Sequence, residues 1–145
     1  MFTHMTEKIL VKDVMIGLDK VPIVLPDTFL KKVLEDMSVN RLGIACIVDD
    51  SKKLLGIITD GDIRRKLITV QKPFSAFFVD DAIDHAIKNP AICSPIDFLS
   101  DAVQIMKKLQ VWDLPVVDEH GTLTGLLHLH PVVEVLLKTI GDKLK

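Results

Sequence analysis

A shift of 69 residues lays the chain upon itself. Pro26 falls on Pro95, Phe29 on Phe98, Leu30 on Leu99 and Met37 on Met106. The same offset joins Val48 to Val117, Asp49 to Asp118, Leu54 to Leu123 and Gly56 to Gly125, with no gap from Pro26 to Ile63. Most other positions exchange one apolar residue for another. An internal duplication settles the architecture before any motif is read. At 145 residues the chain is one domain, or two small halves that share a core.

Each copy has one grammar. A short apolar piece, "VPIVLP" or "NPAICSP", ends at a proline, which suits a strand edge rather than a helix interior. Asp27 or Thr28, and Asp97 in the second copy, then offer an N-cap oxygen. Phe29, Leu30, Val33, Leu34 and Met37 follow, matched by Phe98, Leu99, Ala102, Val103 and Met106; their spacing buries one stripe of a helix. Two apolar strands come next, "IACIV" and "LLGIIT" around the turn "DDSKK", then "LPVV" and "LTGLLHL" around "DEHG". A closing helix ends each copy. The fold class is therefore α/β, in the order β-α-β-β-α, twice. The expected divisions are an extension at 1–10, a first repeat at 11–68, a linker at 69–78, a second repeat at 79–138 and a tail at 139–145.

Charge excludes some function classes. The chain has 18 Lys and Arg against 20 Asp and Glu with no long run of one sign, which argues against a nucleic-acid groove. Mean hydropathy is positive, yet the apolar runs fall far short of the ~18 residues of a membrane span, and no signal peptide opens the sequence. Cys46 and Cys93 lack a CxxC spacing and read as two buried thiols of a cytoplasmic protein. His4 and Met5 belong to a frayed end. Trp112 directly precedes a strand, where core or dimer-interface packing is its expected role.

The stretch "GIITDGDIRRKL" is the strongest candidate site. Thr59 ends a strand, and the helix that starts near Asp60 presents unpaired N–H groups and a partial positive charge. The Asp62 carboxylate suits two vicinal hydroxyls, as a ribose offers, through charge-assisted hydrogen bonds. Arg64 and Arg65 suit a phosphate bidentately. A purely structural account also exists: acidic residues in a first turn gain about 0.3–1 kcal/mol from the helix dipole, and Thr59 serves as an N-cap. The duplication discriminates between them. The second copy has His128 at the Thr59 position and Pro131 at the Asp62 position, with Pro131 read as the first helical residue. The joint forms without the acid, which moves weight to a ligand role for Asp62.

Two copies with "IVDD" and "VVD" strand ends and a "GIITDGD" strand–helix joint resemble a pair of CBS (cystathionine β-synthase) domains, over about Val11 to Leu137. Within that family, "NRLGIACIVDD", "GIITDGDIRR" and "GLLHLH" are most similar to the regulatory tail of arabinose 5-phosphate isomerases, which serve Kdo sugar synthesis. Sugar nucleotidyltransferases carry a comparable "TDGDIRR" run, but the "LHLH" ending fits them less well. The resemblance implies two repeats related by pseudo-two-fold symmetry, a Bateman-type module. It implies an adenosine nucleotide (AMP or ATP) or a CMP-sugar in the clefts between repeats, with no catalytic cofactor. It also implies base contacts near Ile23, Val24, Ile44 and Ala45, and a disc-like homodimer. With only about ten residues before Val11, the expectation is an excised tail or a free-standing CBS protein that lacks the catalytic domain and is not by itself an enzyme.

The second joint, "HLH", places His128 and His130 on one side of a strand end by simple alternation. Two histidines need a third ligand to hold a metal, and His85, His120 and Cys93 offer no diagnostic spacing, so no metal site is assigned. A phosphate or sugar-acid carboxylate in a second cleft is the preferred reading. The isomerase tails read like "HxHD" here, and Pro131 replaces that acid. Three functions follow in order. The first is a ligand-sensing regulatory module, the companion of a sugar-phosphate isomerase or nucleotidyltransferase. The second is an association module using Val132, Val133, Leu136 and Leu137, and the third a histidine-based hydrolase fragment. "TDGD" has no neighbouring nucleophile.

Overall fold

The computed structural model describes residues 8–144; His4, Met5 and the rest of 1–7 lie outside them. The chain forms two compact units, and these cut across the sequence repeats. One, here the Asp62 unit, comprises 18–90 with the turn 121–123. The other, the His128 unit, comprises 8–17, 91–120 and 124–144.

In the Asp62 unit the chain runs through β1 (Ile23–Val24), α1 (Leu30–Asn40), β2 (Ile44–Val48), β3 (Leu54–Thr59), α2 (Asp60–Thr69), α3 (Phe74–Phe78) and β4 (Ile87–Lys88). The sheet order is β1-β2-β3-β4. β1 and β2 are parallel, and the other pairings are antiparallel, with Ile44 opposite Thr59. All five β2 residues are buried, as a continuous apolar run requires when both faces are covered. Leu30, Val33 and Met37 of α1 pack with Ala45, Ile47, Ile58 and Phe77. Lys53 pairs with Thr122 of the turn.

The His128 unit holds α4 (Leu99–Leu109), β5 (Asp113–Val117), β6 (through His128 from Leu123) and α5 (Leu129–Leu144). β5 and β6 form a two-stranded sheet. Residues 8–17 lie on this unit: Ile16 pairs with Leu126 and Leu10 with Phe98, while Val11 and Val14 enter a core with Leu99, Met106, Leu114 and Leu127.

The duplicated glycines now have a reason. A Cβ on Gly56 would stand 2.8 Å from the Ile87 carbonyl, and one on Gly125 would stand 2.8 Å from the Ile16 carbonyl. Each glycine lets an incoming segment cross its strand at backbone distance.

Several local expectations need correction. Asp27, Thr28 and Asp97 are not N-caps. The Leu30 amide donates to the Asp80 carbonyl instead, and the Thr28 hydroxyl accepts from the Leu25 amide. The Asp97 carboxylate accepts from the Ser94 amide. Phe29 and Phe98 occupy the extended N-cap positions and stand half exposed, so the buried stripe begins one residue later. "NPAICSP" yields only a single parallel bridge, Cys93 to Val116, where the first copy has β1. The linker contains α3. Trp112 is 68% exposed and is not core. Among the described residues no helix is long and apolar enough to cross a membrane.

Candidate functional site

Thr59 closes β3 and caps α2: its hydroxyl oxygen accepts from the Asp62 amide at 3.3 Å. The same hydroxyl donates to Asp62 Oδ2 at 2.8 Å. The other carboxylate oxygen, Oδ1, receives the Arg65 guanidinium at 2.6 Å. Arg65 lies one turn further along α2, the spacing at which helical side chains meet. Burial pushes the Asp62 carboxyl up, but the bonds from Arg65 and Thr59 and the charges of Arg65 and Lys66 outweigh it and hold the group below the usual carboxylate value. Asp62 is thus an anion oriented on both oxygens, with its side chain 20% exposed. A carboxylate has about four lone-pair sites, so two diol hydroxyls still find acceptors.

The helix start is less open than its sequence suggests. The Asp60 amide donates to the Gly43 carbonyl at 3.0 Å, and the Asp62 amide is taken by Thr59. Gly43 matters here, because a Cβ would come within 2.8 Å of Asp60 Oδ2. Beside this contact Leu34, Met37, Ser38, Arg41, Leu42, Gly43 and Asp60 line a groove of about 330 Å³. Arg41 holds a left-handed backbone, φ 55°, at the end of α1. The sequence signals Gly43 only through its mismatch with Trp112 in the second copy.

The other expected site residues separate by burial. Arg64 is exposed and, like Arg65, stands on α2. Ile23 is partly buried on β1, whereas Val24, Ile44 and Ala45 are buried. Ile44 lies across the ladder from Thr59.

In the second copy the two histidines part. β6 ends at His128 and α5 begins at once, so strand alternation does not reach His130. His128 Nδ1 meets Asp113 Oδ1 at 2.7 Å, whereas His130 is exposed and meets Glu134 at 3.0 Å. Burial raises the Asp113 carboxyl, against the pull of the His128 bond. Spacing gives no sign of Asp113, because its partner is distant in sequence. Pro131 is the third helical residue rather than the first, still within the turn whose amides lack helical partners. Cys93 is buried, and burial pushes its thiol up to about 12; neither cysteine forms a disulfide.

The CBS domain family matches residues 11–69 and 79–137. The chain belongs to the CBS-domain family. As a CBS pair it has relatives of different kinds. It is 30% identical over 125 residues to the uncharacterized protein RP505 of Rickettsia prowazekii, covering 86% of this chain and 37% of that one. It is 30% identical over 114 residues to arabinose 5-phosphate isomerase GutQ of Salmonella typhi, covering 77% and 33%. It is 32% identical over 111 residues to inosine-5'-monophosphate dehydrogenase of Aquifex aeolicus, covering 75% and 21%. The chain therefore spans little more than a third of these relatives at most. Among solved structures, CBSX2 of Arabidopsis thaliana in complex with AMP superposes with a TM-score of 0.78 at 26% identity, covering 89% of this chain and 96% of that one. The two-copy α/β fold expected from the duplication is that of a CBS pair. Relatives as unlike as an isomerase and a dehydrogenase leave the kinship at the level of the CBS pair.

Proposed function

We propose that this CBS pair is a regulatory module that binds a nucleotide-type ligand, an adenosine nucleotide or a nucleotide-sugar, at the Thr59–Asp62–Arg65 end of the Asp62 unit. The observation that carries the reading is the oriented Asp62 carboxylate, gripped by Thr59 and Arg65 in one copy and replaced by Pro131 in the other. AMP bound to CBSX2 supports an adenosine ligand. The carboxylate takes the ribose hydroxyls, and Arg64, with Arg65 once released, takes a phosphate. Binding rather than catalysis is the chain's own activity. The GutQ kinship supports a sugar-phosphate isomerase as the partner that reads the signal.

The test is thermal unfolding with AMP, ATP and CMP-sugars. A ligand at 100 times its Kd stabilises by about 2.7 kcal/mol. One of these ligands is expected to raise Tm by a few degrees, and Asp62→Ala to abolish the rise while His128→Ala spares it. If none moves Tm, or Asp62→Ala keeps the full shift, the reading fails.

A second reading, an association module forming a homodimer, is favoured by the exposed Val133 and Leu137 of α5 and Leu67 and Ile68 of α2. Val132 is buried and Leu136 packs against the same core, so only half of the expected α5 stripe is free for this. Sedimentation of wild type and Leu137→Asp decides it; an unchanged monomer in both rejects the dimer.

A further inference from the structure

A chain of four polar side chains ties α2 to the segment between α3 and β4. Lys66 Nζ stands 3.0 Å from His85 Nδ1 and donates to the Asp84 carbonyl at 3.2 Å. His85 Nε2 stands 2.8 Å from Asp80 Oδ2, which also receives Lys72 Nζ at 2.7 Å. His85 is buried, and the Phe77 ring lies 5.6 Å from its ring. Lys72 also lies 5.0 Å from the centre of Phe77. β3, which packs behind this segment, brings no ionisable residue. In the other copy Val135 stands where Lys66 stands here, and Val14, two residues before the Ile16 that matches Ile87, stands where His85 stands, so the fold does not demand the chain.

Elementary chemistry fixes the proton. A lysine ammonium only donates and a carboxylate only accepts. Nδ1 must therefore be the bare nitrogen, and Nε2–H the donor to Asp80. The geometry points to a proton-operated latch: neutral His85 holds Lys66, and hence α2, and releases it on protonation. A second proton lands on Nδ1, removes the acceptor and sets an imidazolium against the ammonium. The imidazolium strengthens its bond to Asp80, so His85 stays with Asp80 while Lys66 keeps only the Asp84 carbonyl and α2 loses its side-chain tie. Asp62 and Arg65 sit on the turn of α2 just before Lys66, which places the latch beside the proposed ligand site without depending on any ligand.

The test uses the unliganded chain. Ring 15N shifts should report a neutral His85 protonated on Nε2. Amide protection over residues 64–69, corrected for intrinsic exchange, should fall about tenfold as His85 takes up its second proton, the scale of losing one charge-assisted bond. His85→Gln keeps an acceptor and a donor but cannot titrate, and should flatten this dependence. Lys66→Met, which cuts the tie from the α2 side, should give low protection at every pH. A neutral ring protonated on Nδ1 overturns the latch, as does protection that ignores the His85 titration. The same pH slope in Lys66→Met also overturns it, and this arm stands even where His85→Gln does not fold.

Discussion

The Thr59 hydroxyl and the Asp62 residue bond to each other twice: Oγ1 donates to the carboxylate at 2.8 Å and accepts from the amide at 3.3 Å. The strand end, the helix cap and the candidate ligand carboxylate are thus one object. Thr59→Ala breaks both bonds and is expected to lower stability by about 1 kcal/mol, the usual cost of losing a cap. Thr59→Ser keeps the oxygen and should restore most of it. Urea unfolding of the three proteins measures this; equal midpoints would remove Thr59 from the cap.

Asp62 also sets an acid dependence. Its folded carboxyl lies below the ordinary value of 3.8, so the unfolded chain binds the proton first. The contribution is present above that ordinary value and is lost as pH falls through it toward the lower folded value. Asp62→Asn should therefore reduce the loss of stability between neutral pH and about pH 3, followed by urea midpoints. Arg65 is 60% exposed, and exposed pairs contribute about 0–1 kcal/mol, so Arg65→Gln should cost less than that at neutral pH. A steeper acid loss in Asp62→Asn than in wild type reverses the sign and rejects the pairing.

Repetition made the fold legible, because a shared offset exposes strand, helix and turn together where single periodicities are ambiguous. It also drew attention to Thr59 and Asp62 as what one copy adds. Long-range pairing stayed hidden. Nothing local in "KILVKDVMIG" announces that Ile16 pairs with Leu126, or that β4 pairs with β3, so the exchange of segments between copies was invisible. The short helix α3 carries too few residues for a period. Phe29 and Phe98 misled because the apolar spacing extends one residue beyond the helix. His130 misled because strand alternation was carried past the strand end. Asp113 and the Lys66–His85 contact join residues far apart in sequence, which spacing rules do not reach.

Asp113 is expected to act with the opposite sign to Asp62. Burial raises its folded carboxyl above 3.8, only partly opposed by His128, so the folded chain keeps that proton longer than the unfolded chain. Its contribution to stability then declines as pH rises from 3.8 through the higher folded value. Asp113→Asn removes the decline while leaving an acceptor for His128. Across that window the variant should gain on wild type in urea midpoint. A wild type that gains on the variant there would show that the His128 bond dominates burial.

The glycines give the sharpest contrast within one residue type. Gly56→Ala and Gly125→Ala each drive a Cβ to 2.8 Å from a backbone carbonyl, where relief requires moving a strand rather than a side-chain tip. Each should cost about 1–3 kcal/mol, the range of overpacked sites. Gly141 lies within α5, and a Cβ added there would meet nothing within 4 Å. At that position alanine should stabilise by about 0.5–1 kcal/mol through helix propensity and a less flexible unfolded chain. Urea unfolding of the three single variants tests all of this together. Losses at Gly56 and Gly125 beside a gain at Gly141 would tie the duplicated glycines to the crossing carbonyls of Ile87 and Ile16. Equal small effects at all three positions would break that tie.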